Sequence, residues 1–336
     1  MRLHIVLVSL IVLLAGCAPD PSQVARSSAE PSEPLRIVAT TGMIADMVRN
    51  VAGEHAEVVA LIKPGVDPHL YKPTRSDAER ILNADIIFYN GLLLEGKLTD
   101  TLIRAESSGK RVYGVTELLD DADLLEAEDS PGLRDPHVWM DPVAWSAGIE
   151  VVRDRLSAAV PDASEAFAEN ARRYQSELES LHAYASEVLS SVPEQNRILV
   201  TAHDAFGYFG RRYGYRVVGI QGISTESEAG LKDIEDLVDL IVSNDVAAIF
   251  LESTVPERNI RSLITGARAR GKSVVIGGEL FSDAMGPEGT YEGTYIGMID
   301  HNVTTIARAL GGEAPSRGMQ AKLGTAPRAT EQDRAH

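Results

Sequence analysis

Short apolar runs alternate with longer amphipathic segments along most of the chain from residue 35 onward. Short apolar runs are typical of buried strands, and segments with apolar residues on one helical face predict helices between them. The alternation therefore indicates βα units and a mostly parallel sheet. The predicted strands are 35–39, 58–62, 86–89, 111–114, 198–201, 216–220, 247–251 and 273–276, and the predicted helices are 43–51, 76–83, 97–105, 206–213, 230–243, 257–270 and 292–310.

The alternation breaks in the middle of the chain. Residues 120–135 are acidic and predict a surface loop, and helical patterns follow over 143–158 and 163–190. A helix of roughly 28 residues would be about 40 Å long at 1.5 Å rise per residue, which suits a rod between two lobes. We therefore predict an α/β fold in which two βα lobes with mostly parallel sheets are joined by a long rigid linking helix.

The first 17 residues resemble a bacterial lipoprotein signal. Arg2 gives a positive start, and the apolar stretch 5–14 is too short to span a bilayer as a mature helix. Small residues then lead directly to Cys17, the single cysteine of the chain, which would receive a diacylglycerol. The alternative is an ordinary cleaved signal with an incidental cysteine.

The predicted division of the chain is a signal peptide over 1–17, a flexible tether over 18–34, an N-terminal lobe over 35–160, the linking helix over 161–192, a C-terminal lobe over 193–312 and a polar tail over 313–336.

Composition narrows the chemistry. The formal net charge is −17 over 336 residues, and an acidic surface repels phosphate backbones, so we expect no nucleic-acid partner. The single cysteine lies in the targeting segment, which excludes a disulfide within the chain and a thiolate metal site in its body. Any transition-metal site must therefore use His, Asp or Glu.

Five of the eight histidines are poor candidates for ligands. His4 lies in the signal and His336 is the last residue. His55 lies at a predicted helix end, and His182 and His301 lie within predicted helices. We expect these last three to be surface or packed side chains.

The other three histidines lie at the ends of predicted elements. His69 and His137 each follow a proline that stiffens its loop, and His203 comes directly after a strand. Ligands of open α/β sheets bind outside the carboxyl ends of the strands, where His69 and His203 are predicted to lie in separate lobes. Asp283, after the last predicted strand, offers a carboxylate in the matching place.

Three neutral imidazoles and one carboxylate suit a divalent transition metal. Imidazole favours Zn, Cu, Fe and Ni, and a carboxylate extends the range toward Mn. The rigid loops reduce the entropy lost on binding. The alternative is that these side chains are loop caps and packed polar groups.

The four segments around these residues resemble the cluster 9, or A-I, zinc/manganese solute-binding lipoproteins of ABC importers. The matching segments are 65–74 (GVDPHLYKPT), 135–142 (DPHVWMDP), 203–209 (HDAFGYF) and 282–286 (SDAMG). The resemblance implies that His69, His137, His203 and Asp283 bind a transported Zn2+ or Mn2+ between two lobes that close only modestly. It also implies a monomer that is anchored by lipid to the extracytoplasmic face of a bacterial membrane, and delivery to an ABC permease and ATPase.

Two departures bear on the metal. Many zinc-specific members carry a His-rich loop before the second ligand motif, but residues 120–135 hold no histidine. The manganese subtype has Glu at the third ligand position, where this chain has His203, which favours zinc or dual use. A His-rich site binds Zn2+ more tightly than Mn2+ by the Irving–Williams order.

Two other functions compete with transport. A zinc hydrolase would need an open coordination position and a general base, and the chain has no His-Glu-x-x-His motif. A surface adhesin or structural lipoprotein is the other alternative. We expect no enzymatic activity.

Side chains near the predicted ligands have supporting roles in this hypothesis. Asp141 and Asp204 are candidates to orient a ligand imidazole, although Asp204 is favoured as the cap of the following helix. Four aromatic residues flank the ligands and are expected to shield the ion or to pack at the interface: Tyr71, Trp139, Phe206 and Phe281.

Overall fold

The computed structural model describes residues 33–127 and 131–324. The predicted signal peptide with Cys17, nearly all of the tether and the end of the tail lie outside the described residues. Within the described part, no helix has both the length and the apolar character needed to cross a membrane.

The order of strands and helices follows the predicted alternation. The strands are β1 (Leu35–Ala39), β2 (Ala56–Ala60), β3 (Ile86–Tyr89), β4 (Arg111–Gly114), β5 (Ile198–His203), β6 (Arg216–Gln221), β7 (Ala248–Glu252) and β8 (Val275–Leu280). The α-helices are α1 (Gly42–Ala52), α2 (Arg75–Asn83), α3 (Thr99–Ser107), α4 (Pro142–Ala159), α5 (Ser164–Ser190), α6 (Gly207–Tyr213), α7 (Leu231–Ser243), α8 (Arg258–Ala269) and α9 (Tyr295–Ala309).

All strand pairs are parallel. The first lobe has a four-stranded sheet in the order β2-β1-β3-β4. In the second lobe β5 pairs with β6 and β7 pairs with β8, and β5 lies beside β7. The carboxyl ends of neighbouring parallel strands lie at one edge, where ligands of α/β folds bind. The predicted α/β class, with mostly parallel strands and a long helix between the halves, is confirmed.

One continuous apolar core connects the two lobes. It holds Ile37 of β1, Phe167 and Leu181 of α5, and Leu199 and Phe250 of the second lobe, all of them fully buried. Two smaller clusters lie elsewhere, one in each lobe. The lobes are therefore connected by packed side chains as well as by the chain itself.

The observed bounds of β5, β6 and β7 differ from the predicted bounds by one or two residues, and β2 and β8 differ in ways that have a structural reason. The strand predicted at 58–62 is shifted, because β2 begins at Ala56 in register with Leu35. The start of this edge strand is partly exposed and lacks the apolar signal. The last strand runs beyond the predicted end at 276 to Leu280, and its pairing skips Gly277. A Cβ at Gly277 would lie 2.7 Å from the Phe250 ring, so the glycine permits a bulge where the sequence pattern indicates a strand end.

A matched pair of leucines tests the shared core. Leu181→Ala is expected to lower the free energy of unfolding by about 2–5 kcal/mol, because it leaves a cavity in the core between the lobes. Leu82→Ala in α2 is expected to change it by less than about 0.5 kcal/mol, because Leu82 is 56% exposed. Urea denaturation followed by circular dichroism measures both, and equal losses would contradict this description of the core.

Candidate metal centre

Each of the four predicted site residues lies at the end of an element or in a loop between elements. His69 lies in the loop after β2, and His203 is the last residue of β5. His137 precedes a short 3-10 turn, Val138–Met140, which leads into α4. Asp283 follows β8 by three residues. Local chain geometry therefore places all four where loops of the two lobes converge.

The structure brings these four side chains together. One ligand atom from each lies within 4.8 Å of the others. The imidazole centroids of His69, His137 and His203 are 5.4–5.9 Å apart. The Nε2 atoms lie 3.6, 3.5 and 3.2 Å from the Asp283 carboxylate oxygens, in the order His69, His137, His203. The four residues are at most 4% exposed.

The inward-facing atoms of this cluster lack hydrogen-bond partners. Among the described residues, none makes a hydrogen bond to the three Nε2 atoms or to either oxygen of Asp283. Burying polar atoms without partners costs free energy, and a buried carboxylate costs the most. A divalent cation bonded to all of them would remove that cost, so the donor set fits a metal ion.

The outer nitrogens of two imidazoles face carboxylates. His137 Nδ1 lies 2.8 Å from Asp135 Oδ1, and His203 Nδ1 lies 2.5 Å from Glu252 Oε2. A carboxylate accepts a hydrogen bond from Nδ1–H, and in this tautomer Nε2 carries the lone pair that a cation can bind. The same carboxylates also accept the backbone N–H groups of His137 and His203, at 2.8 and 2.9 Å.

The buried charges shift the ionisation of the cluster. Burial, the largest effect, lowers the pKa of His69 to about 3, against the opposing charge of Asp283. Burial would also lower the pKa of His203, but the Asp283 and Glu252 carboxylates outweigh it and raise that pKa well above its usual value. Burial would raise the pKa of Asp283, but the three imidazoles, His203 first, hold it below the usual range. Asp283 is therefore ionised and can bind a cation.

Hydrogen bonds connect the site loops to one another. Trp139 Nε1 donates to the backbone oxygen of Ser282, and the Tyr208 hydroxyl donates to that of Asp135. Asn90 Nδ2 donates to the backbone oxygen that precedes His137. These bonds connect the loops that carry the proposed ligands to one another, and ordered loops reduce the entropic cost of binding.

The other predicted contacts have different partners. Asp141 accepts the Val143 N–H at the start of α4 and two hydrogen bonds from Arg212, rather than orienting a ligand imidazole. The prediction that Asp204 is the cap residue of the following helix is wrong, because α6 begins at Gly207 and its N-cap residue is Phe206.

The other histidines among the described residues lie outside the cluster, and His4 and His336 are not among the described residues. The His55 ring contacts Phe167, and the His182 ring lies beside Tyr213. His301 Nε2 lies 2.9 Å from the backbone oxygen of Glu279. The expectation that these three are packed or surface side chains agrees with these contacts.

The flanking aromatic residues divide into two groups. Trp139 and Phe206 are fully buried, and the Trp139 ring centroid lies 5.2 Å from that of His137. Tyr71 instead donates its hydroxyl to Asp77, and Phe281 packs against His301. Trp139 therefore packs against a proposed ligand, whereas Tyr71 and Phe281 contact other residues.

Sequence reasoning missed Glu252 and gave Asp135 no role. Glu252 ends β7 directly after a buried apolar run, so the strand-end rule that selects His203 also selects Glu252. Asp135 lies two residues before His137, where its carboxylate reaches both the ring and the backbone of that histidine. The position of Glu252 could therefore be found from the sequence pattern, whereas the role of Asp135 depends on the conformation of its loop.

Comparison with known proteins assigns the family. Residues 37–309 match the model of ZnuA, the periplasmic component A of the zinc-uptake complex. This chain belongs to the ZnuA family. Among curated relatives, the "Manganese-binding lipoprotein MntA" of Bacillus subtilis (strain 168) is 42% identical over 297 residues, 88% of this chain and 95% of that protein. The "Zinc-binding protein TroA" of Treponema pallidum (strain Nichols) is 44% identical over 285 residues, 85% and 91% of the two chains.

Further matches agree with this ZnuA-family assignment. The solved structure of periplasmic zinc binding protein TroA from Treponema pallidum has a TM-score of 0.80 at 44% identity, covering 82% of this chain and 99% of that one. The "Manganese ABC transporter substrate-binding lipoprotein PsaA" of Streptococcus mitis is 29% identical over 315 residues, 92% of this chain and 97% of that protein. The family consists of solute-binding proteins and not of enzymes.

The carboxylate behind His203 gives a testable prediction. Glu252→Gln keeps the shape but removes the charge that makes the imidazole more basic, so Zn2+ affinity is expected to fall about 10- to 100-fold. Glu279→Gln is the matched control, because that side chain is exposed on the neighbouring β8. Competition with a zinc chelator measures both affinities, and equal values for the two variants would contradict the assigned role of Glu252.

Proposed function

We propose that this chain is the extracytoplasmic substrate-binding component of an ABC importer and that it binds one Zn2+ or Mn2+ through His69, His137, His203 and Asp283. One observation carries the proposal. Four buried ligand atoms from two lobes lie within 4.8 Å of one another, and the inward-facing atoms have no hydrogen-bond partner among the described residues.

The distances support binding of a single ion. In a tetrahedral site, two atoms bonded to one zinc at about 2.0–2.2 Å lie about 3.3–3.6 Å apart. The distances from the three imidazole nitrogens to Asp283, 3.2–3.6 Å, already match this spacing. The largest separation between ligand atoms, 4.8 Å, would need to shorten by about an ångström. Both oxygens of Asp283 face imidazole nitrogens, so this residue can offer one or two donor atoms to the ion.

The donor set favours zinc on intrinsic affinity. Three imidazoles bind Zn2+ more tightly than Mn2+ by the Irving–Williams order, while a carboxylate also suits Mn2+. Relatives with similar identity to this chain are named for manganese in Bacillus subtilis and for zinc in Treponema pallidum. We propose that zinc binds more tightly and that metal availability decides the ion carried.

The geometry and the family disfavour the alternative functions. A zinc hydrolase needs a coordination position open to substrate, whereas these four residues surround the centre and are at most 4% exposed. The proposed ligands converge in the interior. Buried side chains cannot take part in adhesion to another surface, so an adhesin would not account for this cluster. Capture of an ion for delivery accounts for a fully buried centre between two lobes.

We also propose the lipid anchor, the partners and the domain boundaries. Cys17 would carry the lipid and hold the chain on the extracytoplasmic face of a membrane, in line with the relatives named as lipoproteins. An ABC permease and ATPase would receive the ion from a monomer. The boundaries stay those predicted from the sequence: 1–17, 18–34, 35–160, 161–192, 193–312 and 313–336.

A ligand substitution tests the proposed function. His203→Ala is expected to lower Zn2+ affinity at least about tenfold, because one coordinate bond and the contact with Asp283 are lost. His182→Ala is the matched control, because that histidine of α5 contacts Tyr213 instead of the cluster. Elemental analysis of protein purified without added metal, followed by chelator competition, measures the result. Unchanged affinity in His203→Ala would refute the four-ligand site.

A further inference from the structure

A threonine of the second lobe contacts the loop that holds His69. Thr225 lies after β6, and its Oγ1 donates to Asp67 Oδ2 at 2.5 Å. The other oxygen of Asp67 accepts the backbone N–H of His69 at 2.8 Å. One carboxylate therefore connects the backbone of a proposed ligand to a hydroxyl group of the opposite lobe. Thr225 is only 8% exposed and Asp67 is half-buried, so this contact is partly shielded from water.

A side chain of the second lobe also contacts the backbone of the segment that carries Thr225. Gln221, the last residue of β6, donates through Nε2 to the backbone oxygen of Ser227 at 2.9 Å and lies 3.5 Å from that of Thr225. Gln221 is in register with His203 on the neighbouring strand β5. The segment that carries Thr225 is thus braced by the residue paired with another proposed ligand.

His69 is held differently from the other two proposed histidine ligands. The rings of His137 and His203 face Asp135 and Glu252, which belong to fixed segments beside them. Asp67 instead holds the backbone of His69 and is itself held by the other lobe. His69 is also slightly exposed, at 4%, whereas His137 and His203 are fully buried. Its loop is the part of the centre nearest to solvent.

We propose that Thr225 and Asp67 form a positioning pair that couples His69 to the second lobe and limits the rate at which the metal leaves. This inference rests on the proposed metal site. The ion can leave only after a ligand moves away, and a partly buried, charge-assisted hydrogen bond connects the loop of His69 to the second lobe. Such bonds are about twice as strong as neutral ones.

A neighbouring ion pair between the lobes provides a control for the contact between Thr225 and Asp67. Lys97 Nζ lies 3.1 Å from Glu226 Oε1, so it joins the same two lobes one residue away from Thr225. The two side chains are 34% and 53% exposed, and exposed ion pairs contribute little. Loss of this pair removes a contact between the lobes without touching Asp67.

The test measures Zn2+ dissociation from the full chain by stopped-flow mixing with excess chelator. Thr225→Val, which removes the hydroxyl at constant shape, is expected to raise the dissociation rate about tenfold, the effect of losing one hydrogen bond to a charged group. Thr225→Ser keeps the hydroxyl and is expected to stay within about twofold of the natural protein. Lys97→Met is expected to stay within about twofold as well.

A double-variant experiment separates positioning from a general loss of stability. In an Asp67→Ala background the acceptor is absent, so adding Thr225→Val should change the dissociation rate by less than about twofold. The metal-free Thr225→Val protein should melt within a few degrees of the natural protein. Thr225→Ala is the second variant if valine impairs folding, with the same expected increase.

Three results would overturn the positioning role: an unchanged rate in Thr225→Val, an equal increase in Thr225→Ser, or an effect of Thr225→Val that persists in the Asp67→Ala background. The His69→Ala variant distinguishes failure of the positioning role from failure of the proposed metal site. If that variant loses Zn2+ binding while Thr225→Val dissociates at the natural rate, the positioning role alone is wrong. If His69→Ala binds Zn2+ normally, the proposed site and the positioning role both fail.

Discussion

A fully buried carboxylate faces three imidazole nitrogens between the two lobes, and the rest of the structure depends on this contact. Neither oxygen of Asp283 has a hydrogen-bond partner among the described residues, and the neighbouring imidazoles keep the pKa of Asp283 low, so the group is an anion in a dry interior. A buried charge without a counter-charge costs several kcal/mol. A divalent cation bonded to Asp283 and the imidazoles would supply a counter-charge, so we propose that the centre binds an ion rather than a neutral ligand.

The fold brings the three imidazoles to the Asp283 carboxylate. Parallel strands in each lobe end at one edge, and the loops after β2, β5 and β8 carry His69, His203 and Asp283 to the space between the lobes. One apolar core runs through α5 into both lobes, so the two edges are held face to face by packing. Asp135 and Glu252 then fix the imidazoles that lie beside them. Preformed geometry of this kind lowers the entropic cost of binding and favours tight, selective capture.

Much of this arrangement could be predicted from the sequence, because strand ends and prolines mark positions. The rule that ligands bind at the carboxyl ends of parallel strands selects His203 and Asp283 without knowledge of the coordinates. The same rule could have selected Glu252. It could not assign Thr225, because the contact with Asp67 depends on how the loop after β6 folds over the other lobe. The extension of β8 past Gly277 could not be predicted from the sequence either. Two consecutive glycines indicate a strand end, and the close Phe250 ring that explains Gly277 is seen only in the structure.

X-ray absorption spectroscopy of the chain loaded with one equivalent of Zn2+ tests the central claim most directly. If the buried anion and the imidazoles bind the ion, the spectrum shows one zinc with three imidazole nitrogens at about 2.0–2.1 Å and carboxylate oxygen at about 2.0–2.2 Å. A zinc ion surrounded by water oxygens, or by fewer than three imidazoles, would contradict it.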